Sequence, residues 1–322
     1  MASTTRADTA VNAGIAGSFP LGGDRSIRRM GYGAMQLAGP GVWGPPPDRA
    51  SAVGVIRRAV ELGVNHIDTS DYYGPHVVNE LIRVALHPYA DDLVLVTKVG
   101  ARRTPDKAWP SALTPVEIRQ AVHDNLRRLG RDHLDVVNLR IVEEAGGLSP
   151  QDSIAAPFGA LAELREQGLI RHLGVSNVSV AQFDEARSIA PVACVQNEYN
   201  VIRRAHETLV DKCAADGIAF MPFFPLGTFT LLHDKEPGAD AKVPLATALT
   251  GRALDEVAAR HSATAYQIAL AWLLHRSPNI CVIPGTSSIG HLEENIAAAA
   301  IQLSEEDIRA LDSLHDDGGP AA

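Results

Sequence analysis

Asp68 and Tyr73 stand five positions apart in the stretch Gly63-Val64-Asn65-His66-Ile67-Asp68-Thr69-Ser70-Asp71-Tyr72-Tyr73-Gly74. An apolar, strand-like run at 64–67 leads into them. In a parallel α/β protein, function collects at the carboxyl ends of strands. A carboxylate and a phenol brought close at such an end make a proton-transfer pair. The same loop is rich in turn-formers, and Asp68 could serve only to cap the next helix. The residues closing the other strand-like runs extend the inventory: Met35 and Gln36, Lys98, Arg140, Ser176 and Asn177, Gln196 and Asn197, Phe223 to Gly227, and Gly285 to Ser287. A lysine beside a tyrosine hydroxyl favours the phenolate and lowers its pKa. A carboxylate near that lysine keeps it charged and oriented. The amides of Asn177 and Gln196 could hold a carboxamide by paired hydrogen bonds. Each residue alone has a plainer role: Lys98 could merely pair with Asp68, and Asn177 could cap a helix near Ser179.

These groups need a scaffold that gathers strand ends. Apolar runs rich in β-branched residues fall at 30–33, 64–67, 93–97, 134–139, 172–175, 192–195, 218–222 and 280–283. Amphipathic segments at 49–62, 77–86, 115–129, 153–167, 180–189 and 206–216 lie between them. Asp48 is a cap for the first helix, and Thr114-Pro115-Val116-Glu117 is a capping box. Eight strand-helix repeats predict parallel pairing and closure into a single (β/α)8 barrel, with an open doubly wound sheet as the rival. A short hairpin is expected at 19–27, around Gly22-Gly23-Asp24. Two long connections, 100–115 and 228–249, would emerge at the carboxyl face as pocket walls or lids. The expected organisation is a loose tail at 1–18, the barrel at 19–315 and a loose tail at 316–322.

Composition narrows the function. A net charge of −9 argues against nucleic acid or an anionic membrane as partner. Three scattered cysteines fit a reducing, cytoplasmic setting. No stretch is apolar enough to span a bilayer. Gly31-Tyr32-Gly33 is not completed to a Gly-x-Gly-x-x-Gly fingerprint, because position 36 is Gln. No paired His/Asp cluster sits at the strand ends, so no metal is expected.

Together these stretches resemble the aldo-keto reductase family from about 19 to 314. The matching segments are Gly31 to Met35, Gly63 to Gly74, Thr97-Lys98, Gly174 to Asn177, Val195 to Asn200, Pro225 to Gly227 and Ile283 to Ser287. Gly33 to Gly41, Tyr73 to His76, Asn138-Leu139-Arg140 and Pro222 to Gly227 look like the bacterial pyridoxal reductase-like group. The resemblance implies an NADP(H)-dependent reduction of a small-molecule carbonyl such as pyridoxal. It makes Tyr73 the proton donor, Lys98 the group that lowers its pKa and Asp68 the support of Lys98. Ser176, Asn177 and Gln196 would grip the nicotinamide amide, and Phe223 would stack on its ring. Gly33, Met35, Asp68, Pro225, Leu226 and Gly227 would line the cofactor. Gly285, Thr286, Ser287, His291, Glu294 and Asn295 would surround the adenosine end.

Two positions depart from the family. Arg140 stands where a histidine is usual; it cannot lose its charge near neutral pH, but it can donate to a carbonyl oxygen and attract an anionic one. Arg140 could instead pair with Glu143 or Glu144. Gly285 and His291 stand where many relatives carry basic residues for the 2′-phosphate, which leaves NAD as a second choice of cofactor. A rival function is an NADPH-binding sensor or regulatory subunit with little turnover.

Overall fold

A computed structural model describes residues 11–142, 147–227 and 252–314. The expectations for 228–249, Glu143, Glu144, the stretch 1–10 and the tail at 316–322 lie outside the described residues. The chain is organised before position 19. Asn12 caps the short turn Ala13–Ala16, Ala13 is buried, and its N–H donates to Leu62 O at 2.8 Å. Residues 12–18 of the segment expected to be loose are therefore ordered, because the turn is docked on the end of the first helix.

Strands β1 (Ser18–Leu21) and β2 (Arg25–Arg28) form the antiparallel hairpin, with Phe19 opposite Ile27. Gly22 and Gly23 turn it with φ of 61° and 85°, which the missing Cβ permits. Phe19, Leu21 and Ile27 join Val94, Val136, Met221 and Cys281 in one apolar cluster. The Arg25 guanidinium donates to Asp91 O at 2.6 Å, just ahead of the third barrel strand. The hairpin thus plugs the amino end of the barrel.

Seven parallel strands follow in sequence order: β3 (Tyr32–Gly33), β4 (His66–Asp68), β5 (Val94–Val99), β6 (Leu134–Arg140), β7 (Ile170–Ser176), β8 (Val192–Gln196) and β9 (Ala219–Phe220). Segment 280–285 is the eighth stave. It joins the two edges by parallel bridges from Ile280 to Phe220, Val282 to Met30 and Gly285 to Gly33. The (β/α)8 barrel closes through them, and the open-sheet rival is excluded. The eighth run is held by bridges, and the seventh shrinks to two residues, because Pro222 and Pro284 carry no N–H to donate. Pro284 can still accept, from Gly33 N at 3.1 Å.

The connecting helices begin at α1 (Arg49–Glu61), α2 (Val77–Leu86) and α3 (Pro115–Leu129). They continue with α4 (Ala155–Glu166), α5 (Val180–Ile189) and α6 (Glu207–Ala215). Asp48 caps α1 through bonds from Ala50 N and Ser51 N, and Thr114 with Glu117 forms the capping box of α3. Ser179, rather than Asn177, caps α5. Four further helices among the described residues lie beyond the segments read as amphipathic: α7 (Arg252–His261), α8 (Ala265–Arg276), α9 (Ile289–Ala297) and α10 (Glu305–Asp312). Helix α8 is apolar almost all round, with Ile268 to Leu273 buried, so it shows no amphipathic period.

Arg29 secures the seam. Its guanidinium donates to Leu274 O at 2.6 Å, Ser277 O at 2.7 Å and Ile280 O at 3.0 Å. Arg29→Met removes a charged donor from three carbonyls and should lower unfolding free energy by about 1.5–3 kcal/mol or more, the scale of one charged hydrogen bond upward. Urea denaturation measures it. An unchanged midpoint and slope would mean that the seam closes without this residue.

Candidate active site

The centre of the carboxyl face is a buried ion pair. Asp68 ends β4 and Lys98 comes from β5, and each is 4% exposed. The Lys98 ammonium donates to Asp68 Oδ1 at 2.6 Å, Asp68 Oδ2 at 2.7 Å and Thr69 O at 3.0 Å. An ammonium has three N–H groups, so all of them are engaged. Gln196, ending β8, donates from Nε2 to Asp68 Oδ2 at 2.7 Å. Its other amide atom, Oε1, is buried without a partner.

Tyr73 lies beside this pair, with Lys98 Nζ 5.1 Å from its ring centre. The expected lowering of its pKa is not found. Burial pushes the phenol well above the ordinary tyrosine range, the Asp68 charge pushes it further, and Arg140 opposes. The reason is geometric: Lys98 has no N–H left for the phenol, and the nearest carboxylate repels a phenolate. In the ligand-free protein Tyr73 is therefore a neutral phenol, holding a proton to give.

A buried polar network fixes the loop that carries Tyr73. Thr69 Oγ1 donates to Asn79 Oδ1 at 2.8 Å, and Asn79 Nδ2 donates to Asn125 Oδ1 at 2.9 Å. Thr97 Oγ1 reaches the same Asn125 oxygen at 2.6 Å, which ties α2, α3 and β5 together. Asp71 pairs with Arg128 from α3 and lies 3.1 Å from His76 Nδ1. Gly74 has φ of 89°, and a Cβ there would meet Val77 Cβ at 2.7 Å. Glycine is thus needed where the loop turns into α2.

A cavity of about 330 Å³ opens over these groups. It is lined by Asp68, Tyr73, Lys98 and Arg140, and by the expected Gly33, Met35, Asn177, Gln196, Phe223, Pro225, Leu226, Gly227 and Gly285. Asn177 is held left-handed with φ of 58°, its Nδ2 donating to Ile141 O at 3.0 Å. Ser176 is fully buried, and its Oγ accepts from Arg140 Nη1 at 3.1 Å. Ser176, Thr286, Ser287, His291, Glu294 and Asn295 do not line the cavity. Thr286 and Asn295 are buried, whereas Ser287, His291 and Glu294 are exposed around the start of α9.

Tyr72, Val142 and Glu198 also line the cavity, beyond the residues expected there. Tyr72 has the plainest signal, since it adjoins Tyr73 in the loop. The long loop at 100–115 is a pocket wall, as expected. Its Trp109 meets Tyr72 edge-on at 5.7 Å, and Tyr72 meets Tyr73 edge-on at 5.5 Å. Arg103 stacks over Trp109 at 3.7 Å and Trp43 at 5.2 Å, and donates to Val42 O at 2.8 Å. That clasp pins the wall to the segment after β3.

A nicotinamide carboxamide fits this donor set. Gln196 Oε1 is a buried acceptor in need of an N–H, and Phe223 supplies an aromatic face beside it. Among the described residues, no three His, Cys, Asp or Glu side chains come together in a way that could hold a metal ion. Among the same residues, no helix is long and apolar enough to cross a membrane.

The profile of the aldo/keto reductase family matches residues 29–316. A pyridoxine 4-dehydrogenase of Escherichia coli (strain K12) is 55% identical over 297 residues, covering 92% of this chain and 98% of its own. A thermostable aldo-keto reductase crystallised with the inhibitor epalrestat has a TM-score of 0.74 at 31% identity, over 92% of this chain and 99% of that one. An aldo-keto reductase of Klebsiella pneumoniae in complex with NADPH has a TM-score of 0.72 at 26% identity, over 92% and 94%.

Two outcomes follow from the geometry. Lys98→Met strands a buried carboxylate and should cost about 3–5 kcal/mol of stability, while Lys98→Met with Asp68→Leu should recover much of it. Urea unfolding of both variants decides this, and equal losses would mean the pair is not coupled. The second outcome concerns pH. Tyr73 is protonated in the folded chain above the pH where an unfolded tyrosine ionises, about 10. Its contribution to stability is therefore complete below that pH and is lost as pH rises toward the folded pKa. The tyrosinate absorbance difference between wild type and Tyr73→Phe should be flat up to about pH 10; a titration near neutrality would contradict it.

Proposed function

Because the chain belongs to the aldo/keto reductase family, we propose that it is an NADP(H)-dependent oxidoreductase interconverting an aldehyde and an alcohol, with pyridoxal and pyridoxine as the pair. The observation that carries this is Tyr73, a neutral buried phenol, set beside the Asp68–Lys98 pair in one cavity with the unpartnered Gln196 oxygen. The pyridoxal part is supported by the Escherichia coli relative named above, and the cofactor part by the Klebsiella pneumoniae structure.

When bound, the reduced nicotinamide supplies a hydride to the carbonyl carbon. Gln196 Oε1 would accept from the cofactor amide, and Phe223 would offer an aromatic face to it. Tyr73 gives its phenolic proton to the carbonyl oxygen as that oxygen gains charge. The proton that leaves Tyr73 creates a phenolate next to Lys98, whose positive charge stabilises it through space. Asp68 holds Lys98 in place and is a positioning residue. The burial that raises the Tyr73 pKa in the resting protein keeps the proton loaded, so the site is set for reduction at neutral pH. In the reverse direction Tyr73 must first lose that proton, so alcohol oxidation is favoured as pH rises. Water is restricted by Trp109, Tyr72 and Phe224 around the cavity.

A net charge of −9 supports a small-molecule rather than a nucleic-acid partner, and three free buried cysteines support a cytoplasmic setting. Ser287 and His291, exposed near the start of α9, are offered for the adenosine 2′-phosphate. The regulatory reading has no comparable support, because every group needed for proton transfer is in the cavity.

Tyr73→Phe tests the reading. It keeps the ring and deletes the proton, so pyridoxal reduction should fall about 10²–10⁴-fold. NADPH affinity should hold, as read by fluorescence titration. Gln196→Ala should instead weaken NADPH binding by about 1–3 kcal/mol. Undiminished turnover by Tyr73→Phe would remove Tyr73 from its role.

A further inference from the structure

We propose that Arg140 is the substrate-selecting group of the cavity, and that it selects aromatic aldehydes carrying an ionised oxygen on the ring. The proposal rests on the carbonyl-reduction reading for its aldehyde, but the anion subsite stands on geometry alone. Arg140 is the last residue of β6, paired in register with Ser176 on β7, and it lines the cavity. Its position is fixed on two sides. Nη1 donates to Ser176 Oγ at 3.1 Å, and the guanidinium carbon lies 4.5 Å from the centre of the Phe223 ring. A guanidinium carries five N–H donors. Among the described residues the bond to Ser176 is the one hydrogen bond it makes, so four donors remain for a ligand.

Charge accounting points to an anion. Lys98 is matched by Asp68, and Glu198 on the same wall lies 3.5 Å from Arg203. Among the described residues Arg140 has no carboxylate within ion-pair distance. Among the described residues it is thus the uncompensated cation of a partly enclosed cavity, where an incoming anion gains more than it would in water. The remaining walls point to a flat ring. Tyr72 and Trp109 present aromatic surface to a planar substrate. Arg140 and Tyr73 line the same cavity. A ring whose carbonyl oxygen meets Tyr73 therefore shares that cavity with Arg140. A guanidinium held by a serine and a ring is preorganised for planar, two-pronged recognition of such an oxygen.

The test compares 2-hydroxybenzaldehyde with 2-methoxybenzaldehyde, at a pH where the phenol is ionised, in wild type, Arg140→Lys and Arg140→Met. The wild type should favour the hydroxylated aldehyde in kcat/KM by about 10- to 100-fold, the worth of one charged hydrogen bond. Arg140→Met should abolish that ratio, mainly through KM, and Arg140→Lys should restore part of it. A second arm needs no turnover: calorimetric binding of salicylate against benzamide. Arg140→Met should collapse the salicylate-to-benzamide affinity ratio by a similar factor. An unchanged ratio in either arm, or an equal fall for both compounds, overturns the proposal. If no aldehyde is reduced by wild type while salicylate still requires Arg140, carbonyl reduction falls and the anion subsite stands.

Discussion

Two opposite charges share a dry site at the end of β4 and β5, and the rest of the cavity is arranged around their mutual need. Stripping either ion of water costs several kcal/mol, and only a close partner with further hydrogen bonds offsets that. Asp68 and Lys98 satisfy the condition, with Thr69 O and the Gln196 amide completing the shell. Three strands are tied by it at one point. The consequences spread outward. Because a carboxylate can only accept, Gln196 must turn its NH₂ to Asp68 and its oxygen away, which sets an acceptor facing a ligand amide. Because Lys98 has no donor left, it can influence Tyr73 only by charge.

The chemistry follows from that division. Tyr73 keeps its proton in the resting protein, since burial and Asp68 both oppose ionisation. Charge appears there only when the proton moves, and the ammonium 5.1 Å from the ring is already placed to meet it. Such preorganised charge costs no rearrangement at the moment of reaction. The loop holding Tyr73 is correspondingly stiff, fastened by Asn79, Asn125 and the Asp71–Arg128 pair. Across the cavity, Arg140 adds a cation that belongs to the substrate rather than to the proton.

Much of the frame was legible because strand ends carry a recognisable residue order. Asp68, Lys98, Gln196 and Tyr73 come together in one cavity at or just after the ends of the runs that precede them. Helix caps at Asp48 and Thr114 were legible because capping is a local interaction. What escaped was non-local. The short β9 and the bridged eighth stave depend on how Pro222 and Pro284 meet their neighbours. Helix α8 hides its period because it is buried on nearly every side. The direction of the Tyr73 shift could not be read, because it depends on which N–H groups of Lys98 are already engaged. Trp109 is fixed in the wall through Arg103, whose other partners, Trp43 and Val42 O, belong to a loop far away in sequence.

The central claim is that this cavity delivers hydride to a carbonyl carbon and a proton from Tyr73 to its oxygen. Isotope transfer tests that most directly. Pyridoxal is incubated with the protein and NADPH carrying deuterium at both C4 positions of the nicotinamide, and the alcohol formed is examined by mass spectrometry and NMR. The account predicts pyridoxine bearing one deuterium on the former aldehyde carbon. Pyridoxine without deuterium at that carbon, or no pyridoxine at all, would contradict it.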